Sequence, residues 1–330
     1  MNASNPLATL QLMAGGFGLS RCLHVVAELG VADVLGDTPQ TATELAAAVN
    51  VDVEALGRVL RLLAAHEVFA VEGDRFGHSP ASRLLRADHP RSMRAFVRMM
   101  GLPFNWDAYR ELGYSVRTGL PAADQLFPGG FWAYTAAHPE ANAVFNAAMA
   151  ARSHGQVAAI VASCDFAGFG RIGDIGGGRG HLLRAVLDAN PDAAGVLFDL
   201  PQVIAEAAAQ APERLTLQAG DFFRDDLPAC DAYLLMEILH DWADPAAVAI
   251  LRAIRRAAPD HARLFVFETM IPDDPGPDWS KLLDVHMLTW VGGRQRSRPA
   301  FEALLDAAGF VLVRQHDTGA GISVLEAKLA

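Results

Sequence analysis

The chain is poor in lysine and in basic charge overall, which limits the partners that it can bind. Among its 330 residues there are two lysines, Lys281 and Lys328, and the other basic residues are arginines. Acidic side chains outnumber basic ones, so the formal net charge is -11 at pH 7. Because nucleic-acid binding usually requires a basic face that neutralises phosphates, this charge balance argues against a nucleic-acid partner.

Cysteines and long apolar runs are also scarce. Cys22, Cys164 and Cys230 are odd in number, far apart and without metal-ligand spacing. Such usage is typical of reduced thiols in a cytoplasmic protein, and we expect no metal site. Polar residues and glycines interrupt the uncharged residues 2–20, so this segment predicts neither a signal peptide nor a membrane span, which needs about 20 mostly apolar residues.

Apolar residues are plentiful, at 52% of the chain, which is enough for two domains with their own cores. Residues 1–100 carry the pattern of a winged helix. Thr43 is expected to cap a short helix that ends at Asn50, a second helix is expected over residues 53–66, and residues 70–79 predict a hairpin with Gly-Asp at its tip. Residues 52–67 contain three acidic and two basic side chains beside a wide apolar face, which favours dimerisation or packing over DNA binding.

Residues 101–155 are mostly helical in pattern and predict a linker between two domains. From residue 156 to residue 330, short apolar runs alternate with amphipathic helices, which predicts a doubly wound α/β domain with a parallel sheet. The last two strands flank Gly319 and Gly321 and predict an antiparallel hairpin at the edge of that sheet. This closure is a feature of one methyltransferase fold and is less usual in dinucleotide-binding domains.

The strongest motif is DIGGGRG over residues 174–180, which follows a strand and opens a helix. Its glycines Gly176, Gly178 and Gly180 let the backbone turn sharply and approach a ligand closely. A dinucleotide fingerprint would need a further glycine where this chain has His181. The helix N-terminus favours negative charge, so we expect it to face the carboxylate of a methionine moiety.

Acidic residues at successive strand ends extend this site. Asp174, at the end of the first strand, is expected to face the ammonium group of the ligand. Asp199 ends the second strand beside Leu200, where an acid reaches both ribose hydroxyls of an adenosine. Asp221 can accept a hydrogen bond from an adenine amino group, and Phe222 offers an aromatic face. These positions predict S-adenosylmethionine as cofactor and S-adenosylhomocysteine as product.

A candidate general base follows the fourth strand. His240 lies just past the carboxyl end of that strand, where open α/β sheets bind ligands, and the usual histidine pKa of ~6.5 suits a base at neutral pH. Glu268 ends the fifth strand. A carboxylate that bonds one imidazole nitrogen would leave the other nitrogen to accept a proton. We therefore predict His240, Glu268 and the adjacent Asp241 as the catalytic group.

Several segments resemble the small-molecule O-methyltransferase family: DIGGGRG, LFDLPQV, GDFF, ILHDW and the tail DVHMLTWVGGRQRSRPAFEALLDAAGF. The family includes plant caffeic acid and isoflavone enzymes and hydroxyindole O-methyltransferase. The bacterial secondary-metabolism branch, with carminomycin, mitomycin and phenazine enzymes, is most similar. The resemblance covers nearly the whole chain. It implies a class I methyltransferase fold, a winged-helix domain that forms a homodimer, and an aromatic acceptor, with no nucleic-acid or membrane partner.

The resemblance also implies roles for individual residues. Ser153 is expected at the methionine end of the cofactor, and Met236 near the adenine, where many relatives have lysine. Met149, Met287 and Trp290 are expected to line the acceptor pocket, to which the linker over residues 101–155 contributes.

Gln295 departs from the family pattern. Many relatives carry a second catalytic glutamate in this segment, which here is GGRQR over residues 292–296. Glutamine can form hydrogen bonds but carries no negative charge. Gln295 therefore cannot stabilise an imidazolium on His240 as a carboxylate would.

Three alternatives to O-methylation stay open at this point. A cofactor-bound member of the family could catalyse hydroxylation, decarboxylation or a pericyclic reaction instead. The same scaffold could methylate nitrogen, although the intact His240-Asp241 pair favours oxygen. The third alternative is a winged-helix regulator that senses an adenosine ligand, against which the acidic second helix argues.

Overall fold

The computed structural model describes residues 5–208 and 212–330, which form two compact units. The N-terminal unit contains the chain up to Trp106 together with Thr135–Arg152, and the C-terminal unit contains Asp107–Tyr134 together with Ser153–Ala330. Among the described residues, no helix is both long enough and apolar enough to cross a membrane. The domain boundaries expected near residues 100 and 155 stay predictions.

The N-terminal unit contains a small antiparallel sheet with the strand order β1-β3-β2 together with several helices. The strands are β1 (Gln40–Thr41), β2 (Phe69–Glu72) and β3 (Arg75–His78). The helices up to residue 100 are α1 (Pro6–Leu29), α2 (Val31–Val34), α3 (Ala42–Val49), α4 (Val53–Ala65), α5 (Pro80–Arg83) and α6 (Arg94–Met100). Their inward faces form one apolar core, which includes Val26, Leu45, Leu60 and Phe69.

The order of α3, α4 and the β2-β3 hairpin is that of the expected winged helix. Asn50 ends α3 in the left-handed conformation, with φ 55°, and the hairpin turns between Glu72 and Arg75. The expected cap is wrong by two residues, because Thr41 rather than Thr43 caps α3. The Thr41 hydroxyl accepts from the Glu44 amide, and the Glu44 carboxylate accepts from the Thr41 amide at 2.7 Å.

Five helices fill the stretch between residues 103 and 163. They are α7 (Pro103–Arg110), α8 (Leu112–Thr118), α9 (Ala122–Leu126), α10 (Gly130–Ala137) and α11 (Pro139–Ser163). The helical character expected of residues 101–155 is therefore found.

A seven-stranded sheet with the order β6-β5-β4-β7-β8-β10-β9 organises the C-terminal unit. Its parallel strands are β4 (Arg171–Ile175), β5 (Ala194–Asp199), β6 (Leu215–Ala219), β7 (Ala232–Met236) and β8 (Arg263–Glu268). The antiparallel pair β9 (Phe310–Asp317) and β10 (Ser323–Leu329) closes the sheet against β8, which confirms the predicted hairpin. The strand order reverses between β4 and β7, and open α/β sheets bind ligands at such a switch point.

Helices cover both faces of this sheet, with α12 (His181–Ala189) and α13 (Pro201–Ala207) in one buried cluster and α14 (Asp244–Ala257) and α16 (Arg298–Ala308) in the other. Helix α15 (Trp279–Trp290) packs against α8 and α9. Along β5, Val196 and Phe198 belong to one buried cluster while Leu197 belongs to the other, because successive side chains of a strand point to opposite faces. Burial on both faces fixes the strands, and with them the positions of the residues at their carboxyl ends.

Candidate active site

The loop after β4 requires glycine at three alternate positions. Gly176, Gly178 and Gly180 have φ values of 73°, 58° and 75°, a region that favours glycine because other residues meet steric strain there. Gly177 is needed for a different reason, since a Cβ atom there would lie 2.4 Å from the Asp174 carboxyl carbon. The three consecutive glycines predicted a close approach of the loop backbone to other groups. The sequence did not identify Gly177 as a position that needs glycine for this reason.

Asp174 is a buried carboxyl group without a cationic partner in residues 5–208 and 212–330. It is 1% exposed, and neither of its carboxylate oxygens there accepts a hydrogen bond of normal geometry, although the Leu183 amide faces the group. Burial raises the pKa of Asp174 to about 7, and the neighbouring Asp199 adds to the effect. An unpaired buried carboxylate is costly, and a ligand ammonium group would relieve that cost. The site therefore fits the amino-acid end of S-adenosylmethionine.

Asp199 ties the second strand end to the glycine loop. Its Oδ2 accepts from the Gly178 amide at 2.8 Å, and its Oδ1 accepts from the Leu200 amide at 2.7 Å. Burial raises the pKa of Asp199 above its usual value. Each carboxylate oxygen can accept more than one hydrogen bond, so the group can still receive two ribose hydroxyls.

The loops after β4, β6 and β7 come together where the sequence predicts the adenine. A Cβ atom on Gly176 would lie 3.7 Å from the Phe222 ring and 2.8 Å from the Ile238 side chain. Asp221 holds its own loop, since its Oδ1 accepts from the Phe223 amide at 2.9 Å. The sequence reasoning missed Ile238, because an isoleucine after a strand carries no signal of its own. Met236 ends β7 and is half-buried.

His240 lies in a 3-10 turn, Leu239–Asp241, directly after β7. The side-chain amide nitrogen of Gln295 is 2.7 Å from Nδ1 of its ring. Glu268 Oε1 accepts from the His240 main-chain amide at 3.1 Å, and Oε2 is 3.6 Å from Nδ1. The expected carboxylate–imidazole hydrogen bond is therefore replaced by an amide–imidazole contact, and Glu268 holds the histidine mainly through its backbone.

Buried acids surround this imidazole. Asp241 Oδ1 lies 3.4 Å from His240 Nε2. Burial raises the pKa of Asp241 to about 8, and burial also raises the pKa of Glu268 well above its usual value. The charge of Glu237 adds to both shifts. In the part of the chain that the structure describes, no group of three or more His, Cys, Asp or Glu side chains is arranged to hold a metal ion.

A buried arginine fixes the turn that carries His240. Arg296 is 2% exposed, and its guanidinium donates to the carbonyls of Leu239 and Trp242, both at 2.7 Å. It also bonds the Asp244 carboxylate at 2.8 Å. Because these groups lie on both sides of His240, Arg296 positions the turn. The sequence reasoning gave Arg296 no role, since its partners are more than 50 residues away.

Gly293 allows two backbone segments to touch. A Cβ atom at this position would lie 2.0 Å from the His240 carbonyl oxygen, and the Arg294 amide donates to that oxygen at 2.8 Å. No other residue fits without a shift of the segment. This contact also places Gln295, the residue after Arg294, against the imidazole ring.

Helix α15 carries the expected acceptor-pocket residues Met287 and Trp290, which are both buried. Trp290 stacks on Phe131, with ring centroids 5.9 Å apart. The helix is linked to the His240 site, because Asp284 Oδ1 accepts a hydrogen bond from the main-chain amide of Gln295 at 2.7 Å. On α11, Ser153 belongs to the C-terminal unit, while Met149 belongs to the N-terminal unit and is half-buried.

Two family profiles match the chain. An O-methyltransferase domain matches residues 109–311, and an O-methyltransferase dimerisation domain matches residues 11–88.

Individual relatives match over nearly the full length. The phenazine O-methyltransferase of Lysobacter antibioticus is 38% identical over 98% of this chain and 96% of its own. The 8-amino-8-demethylriboflavin N,N-dimethyltransferase of Streptomyces davaonensis is 40% identical over 93% of this chain and 90% of its own. Among solved structures, a methyltransferase of calicheamicin biosynthesis in its SAH-bound form superposes with a TM-score of 0.88 at 33% identity, with both chains fully covered.

Proposed function

The chain belongs to the O-methyltransferase family, and from that premise we propose that it transfers the methyl group of S-adenosylmethionine to a hydroxyl of an aromatic secondary metabolite. The observation that carries the proposal is the position of His240. It follows β7 at the switch point of the sheet, beside the glycine loop and the buried carboxyl group of Asp174.

The chain offers a polar contact for each part of the cofactor. We assign Asp174 and Ser153 to the methionine end, Asp199 and the adjoining Leu200 to the ribose, and Asp221 to the adenine. Phe222 and Met236 pack around the adenine ring in this assignment. When bound, the cofactor supplies a methyl group on a sulfonium, which is already activated for displacement. The protein then has to position the acceptor oxygen and remove its proton.

His240 is the general base in this proposal. Full proton transfer from a phenol of pKa ~10 to an imidazole of pKa ~6.5 would cost roughly 5 kcal/mol. Proton removal during methyl transfer avoids that full cost. The positive charge that develops on the ring lies 3.4 Å from Asp241 and 3.6 Å from Glu268, and it favours the ionised form of these two buried acids, while Gln295 holds Nδ1. An amide presents a donor at one end and an acceptor at the other, so Gln295 can bond either tautomer of the ring.

We assign Met287 and Trp290 on α15 to the acceptor pocket, and the expected role of Met149 stays a prediction. Aromatic and thioether side chains suit a planar ring system, because such rings bury a large apolar area against them. Two relatives support a ring substrate of this kind, since one is a phenazine O-methyltransferase and another is an 8-amino-8-demethylriboflavin N,N-dimethyltransferase.

A panel experiment tests the proposal. The purified protein is incubated with methyl-labelled S-adenosylmethionine and matched polycyclic aromatics that carry a hydroxyl, an amino group or neither. We expect label on the hydroxylated compounds, with the position established by NMR. Label only on the amino compounds would support the second candidate, N-methylation, which the riboflavin-related relative favours. Cofactor binding with no label on any compound would contradict methyl transfer to this class.

We also propose that the protein is a homodimer. Leu7, Leu10, Met13 and Phe17 recur at helical spacing on α1, and each side chain is more than half exposed. An apolar stripe of this length marks an interaction surface on a water-soluble protein. The stripe overlaps the residues that match the dimerisation domain, so a second copy of the chain is the expected partner.

A further inference from the structure

A second buried histidine, His286, belongs to the C-terminal unit and has no part in the catalysis described above. It lies on α15 directly before the expected pocket residue Met287 and four residues before Trp290, and it is 3% exposed. Positions four residues apart share one face of a helix, so His286 and Trp290 are neighbours. Their rings stack at 27° with centroids 5.1 Å apart.

Tyr109 holds the ring of His286. The Tyr109 hydroxyl and His286 Nδ1 form a hydrogen bond, and the two rings meet edge to face with centroids 5.2 Å apart. Trp279 packs against the same imidazole at 5.8 Å. The ring is therefore fixed by one polar contact and two indole faces. Burial lowers the pKa of His286 to about 4 and raises the pKa of Tyr109, so both groups are neutral near pH 7.

The direction of the Tyr109–His286 bond follows from counting buried donors. If Tyr109 donates to Nδ1, the imidazole carries its hydrogen on Nε2. If Nδ1 carries the hydrogen and donates instead, two groups are left unsatisfied. Nε2 is then an acceptor without a donor, and the Tyr109 hydroxyl hydrogen has lost His286, its acceptor among the described residues. The first arrangement leaves fewer unsatisfied groups and is preferred. Among residues 5–208 and 212–330, Nε2 has no hydrogen-bond partner, and it is buried.

We propose that His286 Nε2–H, held by Tyr109, recognises a hydrogen-bond-accepting atom in the ring plane of the acceptor, such as a ring nitrogen or a carbonyl oxygen. This inference rests on the proposed function. It narrows the substrate class from any hydroxylated aromatic to a heteroaromatic or a ring ketone. Asp284, on the same helix as His286, binds Gln295, which in turn contacts His240. One helix therefore positions both the group that recognises the acceptor and the group that holds the base.

A matched pair of ligands tests this assignment. The tricyclic probes 1-hydroxyphenazine and 1-hydroxyanthracene have the same shape and differ in two ring nitrogens. Their dissociation constants are measured with the S-adenosylhomocysteine-bound dimer by fluorescence titration. Because the two compounds differ in hydrophobicity, the readout is the ratio of their affinities in a variant relative to the wild type.

His286→Phe should shift this ratio against 1-hydroxyphenazine about tenfold, which corresponds to 1.4 kcal/mol. His286→Gln restores an N–H donor and should recover most of the preference. Tyr109→Phe releases Nδ1 and should shift the ratio by a smaller factor. The melting temperature and the S-adenosylhomocysteine affinity establish that each variant is folded. If His286→Phe does not fold, the affinity ratio in Tyr109→Phe still tests the proposal.

A ratio that stays within twofold of the wild type in both His286→Phe and Tyr109→Phe overturns the proposal, because a purely structural role lowers both affinities alike. The outcome is independent of the proposed reaction. A shifted ratio without methyl transfer to any hydroxylated probe would support the recognition site and contradict O-methylation.

Discussion

The buried carboxyl group of Asp174 makes cofactor affinity depend on pH in a defined direction. Burial raises the pKa of this group to about 7. A group with that pKa is about one-eleventh ionised at pH 6 and about ten-elevenths ionised at pH 8. The ligand ammonium pairs with the ionised form and keeps its own charge through this range. We therefore expect the affinity for S-adenosylhomocysteine to rise about tenfold between pH 6 and pH 8, as measured by titration calorimetry.

Asp174→Asn keeps the shape of the side chain and removes its charge. A hydrogen bond to a charged group contributes ~1.5–3 kcal/mol, so the variant should bind S-adenosylhomocysteine at least tenfold more weakly at pH 8. Its affinity should also be flat between pH 6 and pH 8. Asp221→Asn is the matched control, because it weakens the adenine contact and should keep the pH slope of the wild type.

The stability of the ligand-free protein gives an independent readout of the same group. The folded-state pKa lies above the usual value of 3.8, so the stability linked to Asp174 is complete below that value and is lost as pH rises through about 7. The melting temperature of Asp174→Asn should therefore fall less than that of the wild type between pH 6 and pH 8. A flat wild-type affinity over this range, or a slope that survives in Asp174→Asn, would refute the assignment.

Three further predictions concern the base and the assembly. Gly293→Ala should lower kcat about a hundredfold with S-adenosylhomocysteine affinity unchanged, because its Cβ meets the His240 carbonyl at 2.0 Å and a ~1 Å misplacement can cost that much. Gly155→Ala is the matched control, because its added Cβ would meet no described atom within 4 Å apart from its chain neighbours and its own helix backbone, and equal activity of the two variants would contradict this reasoning. Gln295→Glu places a carboxylate against Nδ1, so the acid limb of the pH–rate profile should move to higher pH with activity kept or raised at pH 8; an unmoved limb would show that position 295 does not influence the base. Leu10→Asp with Met13→Asp should give a monomer mass by light scattering at micromolar concentration, whereas Val116→Asp on α8 should leave a dimer; a wild-type monomer would remove the interface altogether.

The sequence was informative where function depends on local order along the chain. The glycine loop, Asp199 and Glu268 stand at or beside strand ends, so alternating apolar runs sufficed to place them. The winged helix was predictable for the same reason. Thr41 was missed as the cap of α3 although its capping box with Glu44, three residues later, is visible in the sequence.

Contacts between distant segments could not be predicted in this way. His240 meets Gln295 across 55 positions, and Tyr109 meets His286 across 177. The contacts of Arg296 and Gly293 could not be predicted for the same reason. Both residues meet main-chain carbonyl groups of a distant segment, and no pattern of side chains reveals such contacts. The sequence therefore placed residues at strand ends better than it predicted which side chains touch.

The central claim is that His240 removes a proton from an aromatic hydroxyl during methyl transfer. Its most direct test is the rate of label transfer from methyl-labelled S-adenosylmethionine by the wild type and by His240→Ala, measured from pH 6.5 to pH 9.5 with the hydroxylated aromatic that the panel identifies as a substrate. If His240 is the base, His240→Ala should keep the S-adenosylhomocysteine affinity, lose ~10²–10⁴-fold in rate at neutral pH, and lose less at high pH, where the phenol ionises unaided. Near-wild-type transfer by His240→Ala at pH 7 would contradict this claim and leave positioning of the acceptor as the main source of the rate.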